Sequence, residues 1–291
     1  MSHCHASVLP SRAALRVRGA DAGKFLQGLI TNDIGKAQEG AAIHAGLLSP
    51  QGKVLFDFFV VADNDGVLLD VAKDKAGDLV QRLNFYRLRA QVEIAEEPEL
   101  AIAAAWGGSP RLPDGAVAFA DPRFVDLGVR LLLPKGMDVA TLGCERASEA
   151  DYHAFRISRG VPEGGRDYAF GEVFPHEALF DQLNGVDFAK GCYVGQEVVS
   201  RMEHRGTARK RIVPVEGKAA LPQSGTSVEA DGVAIGTLGS VSGTSGLALI
   251  RLDRAEAALA AGQTLDAGGI TVTLRRAAFA RFAVPVTEVP A

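Results

Sequence analysis

Cysteine is scarce in this chain: three in 291 residues, Cys4, Cys144 and Cys192, odd in number and widely spaced. That scarcity argues against a disulfide framework and against a Cys-x-x-Cys metal site, so no metal cluster is expected from this chain's cysteines alone. Long apolar runs are missing too. None approaches the ~18 residues a membrane helix needs, which argues against a membrane protein. The stretch Met1 to Pro10 has no basic region followed by an apolar core and a small-residue cleavage site. It reads as carrying no secretory signal, and a cytosolic location is expected. Nor is there an excess of cations. A net charge of -4 and a pI of 5.9 argue against a protein that coats nucleic acid.

What is present suits a soluble globular protein, 47% hydrophobic and 23% charged. The length fits two or three units of ~100 to 150 residues, able to bury cores without covalent staples. Strands are expected at 14–18, 42–48, 54–62 and 67–72, with turns at Ser49 to Gly52 and Asn64 to Gly66. Asp21 reads as an N-cap for a helix carrying Phe25, Leu26, Leu29 and Ile30 at helical spacing. A second helix is expected over 73–87, and a third from Ser148, where Ser148 and Asp151 fit a capping box. After residues 91–95 the stretch is less regular, with further strands expected near 101–105, 116–119 and 128–133. The polar, turn-rich stretch 164–175 reads as a long loop, unusual inside a domain unless it has a task. From about Arg211 the texture changes to short β-branched runs separated by glycines, the pattern of a small barrel or sandwich. The expected division is therefore 1–210, an α+β core, and 211–291, an all-β domain.

The run Lys190, Gly191, Cys192, Tyr193, Val194, Gly195, Gln196, Glu197 sets a cysteine between two glycines, with a cation two positions before it. Such glycines permit turns closed to other residues and close approach of a ligand to the backbone. A free thiol titrates near pH ~8.5, and a neighbouring lysine or helix N-terminus lowers that value. Lys190, and a helix beginning at Gln196, are candidates for this. The competing reading makes Cys192 a small buried residue of a tight turn.

Asp57 is a carboxylate in the wrong place. Period-two geometry puts it on one strand face with Leu55, Phe59 and Val61, where it must find a partner or lose its charge. A salt bridge to Arg87 or Arg89 is the structural reading, and a ligand-facing acid or base the functional one. Arg201, Arg205, Arg209, Lys210 and Arg211 form a basic cluster opposed only by Glu203, suited to phosphates or a polycarboxylate, or simply a solvated face. His3, Cys4 and His5 make a compact triplet at the terminus, read as incidental, so no metal site is assigned.

The run from Lys190 to Glu197, with Arg201 after it, resembles the signature of the YgfZ family of folate-binding proteins, whose mitochondrial relatives assist iron–sulfur cluster assembly. The stretch Phe25, Leu26, Gln27, Gly28, Leu29, Ile30, Thr31, Asn32, Asp33 is similar to that family too. So is Leu48 to Lys53 followed by the Asp57 strand. The tail resembles the β domain of the glycine-cleavage aminomethyltransferase. The resemblance implies an aminomethyltransferase-like α+β fold of two interleaved subdomains, the second including roughly 50–145, and a C-terminal β-barrel around a channel for tetrahydrofolate or a one-carbon derivative. It implies that Asp57 meets the folate nitrogens. Lys190, Gly191, Tyr193, Gly195, Gln196, Glu197 and Arg201 would build the cofactor-binding loop, with Cys192 as the reactive thiol. Where the family's enzymes grip the pterin with a glutamate, this chain offers Arg130 or Ser158, neither of them an acid. The implied role is a folate-dependent factor serving iron–sulfur client or assembly proteins, touching tRNA only through cluster-containing modification enzymes. The alternatives are a tetrahydrofolate-dependent one-carbon transferase, a folate-sensing binding module, and, on chemistry alone, a cysteine hydrolase using His176 or His204.

Overall fold

The computed structural model describes residues 3–206 and 208–285. They divide into two compact units, Met1–Tyr152 with Leu183–Glu197, and His153–Gln182 with Val198–Ala291.

The first unit holds two five-stranded sheets. One is built from β2 (Arg12–Arg18), β3 (Ile43–Leu48), β4 (Val54–Asp63), β5 (Gly66–Ala72) and β6 (Glu93–Glu96) in the order β3-β4-β5-β2-β6, all neighbours antiparallel. Its apolar face carries Leu15, Val17, Leu47, Phe58, Val60 and Leu69. Two helices, α1 (Ala22–Gln27) and α2 (Ala76–Arg87), cover that face through Leu26, Leu79 and Leu83. Each such fully buried side chain contributes about 1.5–3 kcal/mol. Helix α1 is shorter than its apolar spacing suggests. The side chain of Asp21 does not cap it but accepts from the Gln91 amide at 2.8 Å, tying the helix entry to the strand that follows α2.

The second sheet runs β10 (Glu145–Arg146), β1 (His5–Val8), β7 (Leu100–Trp106), β9 (Val129–Pro134), β8 (Val117–Ala120). The chain's first strand thus joins the sheet made by residues 100–146, while its second strand joins the other, so the two sheets are interleaved in sequence. Cys4 and Cys144 form a disulfide across 140 residues, where β1 and β10 lie parallel. This corrects the expectation drawn from the cysteine count. An odd, widely spaced set says nothing about which residues sheet pairing brings together. Helix α3 (Glu149–Ser158) opens with the expected capping box: the Ser148 amide donates to Asp151 Oδ2 at 2.8 Å and the Asp151 amide to Ser148 Oγ at 3.1 Å.

In the second unit, β11 (Lys210–Gly217), β12 (Ser227–Ala230), β13 (Val233–Ser242), β14 (Ser245–Arg251), β15 (Leu265–Ala267) and β16 (Ile270–Leu274) close into a barrel. Its interior is filled by Val213, Val215, Val228, Leu238, Ile250 and Leu274. The barrel form of the all-β expectation is the one realised, with an unanticipated helix, α5 (Leu252–Ala260), after β14. The long loop 164–175 is anchored by a buried ion pair. Arg156 donates to Asp167 at 2.6 Å and to Ser240 Oγ at 2.7 Å, and the other oxygen of Asp167 accepts the Ser240 amide at 2.7 Å. Arg211, grouped with the surface cations from sequence, is also buried, donating to Asp181 at 2.5 Å and to the His176 carbonyl at 2.8 Å. Arg201, Arg205, Arg209 and Lys210 remain exposed.

Candidate functional site

Three sequence motifs of the first unit assemble around the cysteine loop. Lys190 is 7% exposed, and its ammonium donates to the carbonyls of Gln27, Ile30 and Asn32 at 2.8, 2.6 and 2.8 Å. All its N–H groups are used on the end of α1 and the turn after it, so the ammonium is not directed at Cys192. This corrects the expectation that Lys190 activates the thiol. Burial pushes the Lys190 pKa down to about 8, with Asp33 and Asp187 opposing. It remains a cation at neutral pH, and the three carbonyls solvate it. The Tyr193 ring lies buried beneath it, 5.3 Å from ring centre to Nζ.

The same receiving segment makes further bonds. Thr31 Oγ1 donates to the Gly185 carbonyl at 2.5 Å, Asn32 Nδ2 to the Asn184 carbonyl at 2.7 Å, and the Asp187 amide to the Thr31 carbonyl at 3.0 Å. Lys36 pairs with Asp187 at 2.8 Å. The third motif, the turn Ser49 to Lys53, meets Gly195, whose φ is +81° and where a Cβ would come within 2.6 Å of the Ser49 carbonyl oxygen. Only glycine fits there. Gly191, in contrast, faces open space, so packing does not require it. Lys190, Tyr193 and Gly195 therefore hold the loop, while Cys192 is exposed and its thiol is free. The buried-turn reading of the cysteine is overturned. Helix α4 (Gln196–Arg205) begins directly after the loop, with Gln196 partly exposed, and Glu197 and Arg201 exposed, on its first two turns.

Asp57 lies elsewhere in this unit, on the inner face of the first sheet. It is 9% exposed and stands opposite Gly46 of β3. The face expected to be apolar carries charge once neighbouring strands are counted: His44, Asp70 and Arg12 share it. Arg87 and Arg89, the expected salt-bridge partners, are exposed beyond the core of α2. Apart from Arg130, sequence reading missed the rest of the layer. Arg12 pairs with Asp70 at 2.6 Å, and Arg123 grips Asp121 through two bonds of 3.0 and 2.8 Å. Between them Arg130 of β9 reaches Asp70 at 3.5 Å, Asp121 at 3.7 Å and the Tyr152 hydroxyl at 3.0 Å. The three guanidiniums surround the Phe59 ring at 5.8, 4.9 and 5.0 Å. Burial works against the Asp121 charge, but the charge and hydrogen bonds of Arg123 together with the charge of Arg130 outweigh it and hold the carboxyl below its ordinary range. Asp70 carried the same signal as Asp57, an acid among apolar residues in a strand. Ser158, the other position considered for the pterin grip, is exposed and donates to the Phe155 carbonyl at 2.7 Å.

His44 makes the layer sensitive to acid. Burial pushes its pKa down from 6.5 to about 4, with Asp57 opposing and Arg123 assisting, and its Nδ1 lies 3.1 Å from the Leu183 carbonyl. The unfolded chain takes up this proton near pH 6.5 and the folded chain only near 4. The contribution is whole above the unfolded value and declines as pH falls between the two, by about 3 kcal/mol. A His44→Leu variant should flatten that segment of the stability curve, measured by urea unfolding across the window. An unchanged slope would contradict the assignment.

Comparison with known proteins decides the family. The C-terminal β-barrel domain of CAF17 matches residues 209–282. The mitochondrial iron–sulfur cluster assembly factor IBA57 of Homo sapiens is 35% identical over 270 residues, covering 83% of this chain and 76% of that protein. The chain belongs to the IBA57 family of iron–sulfur cluster assembly factors, within the YgfZ group. The Neurospora crassa homologue is also 35% identical, over 228 residues, covering 71% of this chain and 52% of its own. Both relatives are mitochondrial proteins, which overturns the cytosolic location expected from the N-terminus. The aminomethyltransferase T of the glycine cleavage system from Bartonella henselae superposes with a TM-score of 0.77 over 96% of this chain and 87% of its own. At 15% identity that likeness bears out the aminomethyltransferase-like fold and nothing finer.

Proposed function

We propose that this chain is an iron–sulfur cluster assembly factor in which Cys192 serves as a transient thiolate ligand. The observation that carries this reading is the division of labour in the loop: Lys190, Tyr193 and Gly195 are consumed in holding it, and the cysteine is the residue displayed. Clusters are held by more thiolates than one. With Cys4 and Cys144 joined to each other, the remaining ligands must come from a partner protein that carries its own. Gly191, Gln196 and Glu197 would then border the meeting point. In cells lacking the protein, Cys192→Ser should accumulate folded yet leave iron–sulfur enzyme activities at the level of the deletion. Full restoration by Cys192→Ser would remove the role.

Tetrahydrofolate, and the one-carbon chemistry that goes with it, fit the inner layer poorly. The amino and N3–H edge of a pterin calls for a carboxylate acceptor, and the position considered for it holds the donor Arg130. The neighbouring acids Asp70 and Asp121 are already bound by arginines. Asp57 is the one residue there that matches the implied folate contact. Lys190, Tyr193 and Gly195 are spent on packing rather than facing a ligand. This set of side chains does not favour aminomethyl transfer. An influence on tRNA modification would follow only through cluster-containing client enzymes.

A further inference from the structure

The last turn of α2 turns its apolar side chains to water. Phe85 is 74% exposed and Leu88 90%, whereas Ala76, Leu79 and Leu83 take the buried face of the helix. Phe85 packs edge-on against Tyr86 with ring centres 5.6 Å apart. Leu88 closes the helix at φ 45°, ψ -107°, backbone that favours glycine and disfavours a side chain. A leucine there gains neither burial nor backbone ease.

The charged residues nearest these side chains in sequence are of one sign, with the acids Asp78 and Glu93 lying outside them. Residues 79–92 contain Arg82, Arg87 and Arg89 and no acid. All three arginines are exposed, and among the described residues none is in an ion pair. One cation near a helix C-terminus is explained by the helix dipole. That leaves Arg82, Arg89 and the two exposed apolar residues without a folding role. An exposed aromatic and leucine close in sequence to arginines form an apolar patch of the kind that marks a protein-binding site, arginine being enriched in binding hot spots.

We infer that this end of α2 docks an acidic amphipathic helix of a partner protein. Apolar side chains of the incoming helix cover Phe85 and Leu88, which stand three positions apart, and its carboxylates meet Arg82, Arg87 and Arg89. Bidentate guanidinium–carboxylate pairing gives orientation as well as attraction. The inference does not depend on the role of Cys192.

The test uses the full chain and a fluorescent peptide of about 18 residues, long enough to hold a helix, with leucines at helical spacing and glutamates on the rim. Anisotropy should show saturable binding, and the same peptide with lysine rims should bind at least about tenfold more weakly. Leu88→Gly should weaken binding by about tenfold or more with a thermal midpoint equal to or above the parent's, since glycine suits the backbone there. Arg82→Glu with Arg87→Glu and Arg89→Glu should abolish it. No binding, or Leu88→Gly binding like the parent, would overturn the inference. So would tighter binding to vesicles containing about one third phosphatidylserine, which would make the patch a membrane contact. Self-association in sedimentation that Leu88→Gly removes would also overturn it, making the occupant a second copy.

Discussion

Asp70→Ala should destabilise the first unit by about 3–5 kcal/mol, the range for removing one partner of a buried ion pair. Asp70 is 1% exposed, and its loss removes the carboxylate that holds the Arg12 guanidinium at 2.6 Å and half of the Arg130 pairing, leaving Arg12 the Asp70 main-chain carbonyl at 2.8 Å. Both cations have little access to water, Arg12 being 8% and Arg130 1% exposed. Two buried positive charges would then stand beside Arg123 around one phenyl ring. Asp70→Asn should cost less, since its amide oxygen still accepts from Arg12. Urea unfolding of both variants reads the difference. A loss below about 1 kcal/mol for Asp70→Ala, the level of a surface ion pair, would mean that the layer is open to solvent.

Lys190→Met should cost about 2–4 kcal/mol and loosen the loop without touching the thiol. The substitution keeps the apolar stem but removes three bonds from a charged donor, each worth about 1.5–3 kcal/mol before the relief of burying no ammonium is counted. The carbonyls of Gln27, Ile30 and Asn32 lose their partner together. Amide hydrogen exchange of the segment 185–195 should accelerate, and Cys192 should lose its fixed presentation. Lys190→Arg should not rescue, because a planar guanidinium cannot direct its donors at three converging carbonyls as a compact ammonium does. Unchanged exchange in Lys190→Met would show that Tyr193 and Gly195 hold the loop without it.

How far the sequence could be read depended on the distance between partners. The strands around Asp57, the capping box at Ser148 and the β-rich tail follow from local periodicity and turn chemistry, and they stand where that pattern puts them. Asp57 itself was visible because an acid alternates with apolar neighbours. Asp70 offered the same cue, but its meaning came from Arg12, 58 residues earlier, and from Arg130 on another sheet. Lys190 drew notice as a cation near a thiol, yet its bonds go to carbonyls 158 to 163 residues away. The motifs that resembled a known family one by one are the parts of a single packing arrangement, which only the fold reveals. The Cys4–Cys144 pairing is of the same kind, set by parallel strands that no spacing rule connects.

The most direct measurement mixes the purified full chain, under anaerobic conditions, with a cysteine-bearing scaffold protein loaded with an iron–sulfur cluster. Mössbauer and absorption spectra are then recorded on the isolated complex. The expected result is a cluster spectrum that changes on complex formation with the parent chain and stays that of the scaffold alone with Cys192→Ser, while Lys190→Met gives a partial change. The same spectral change with Cys192→Ser as with the parent would show that this thiol is not a ligand, and would contradict the central reading of the loop.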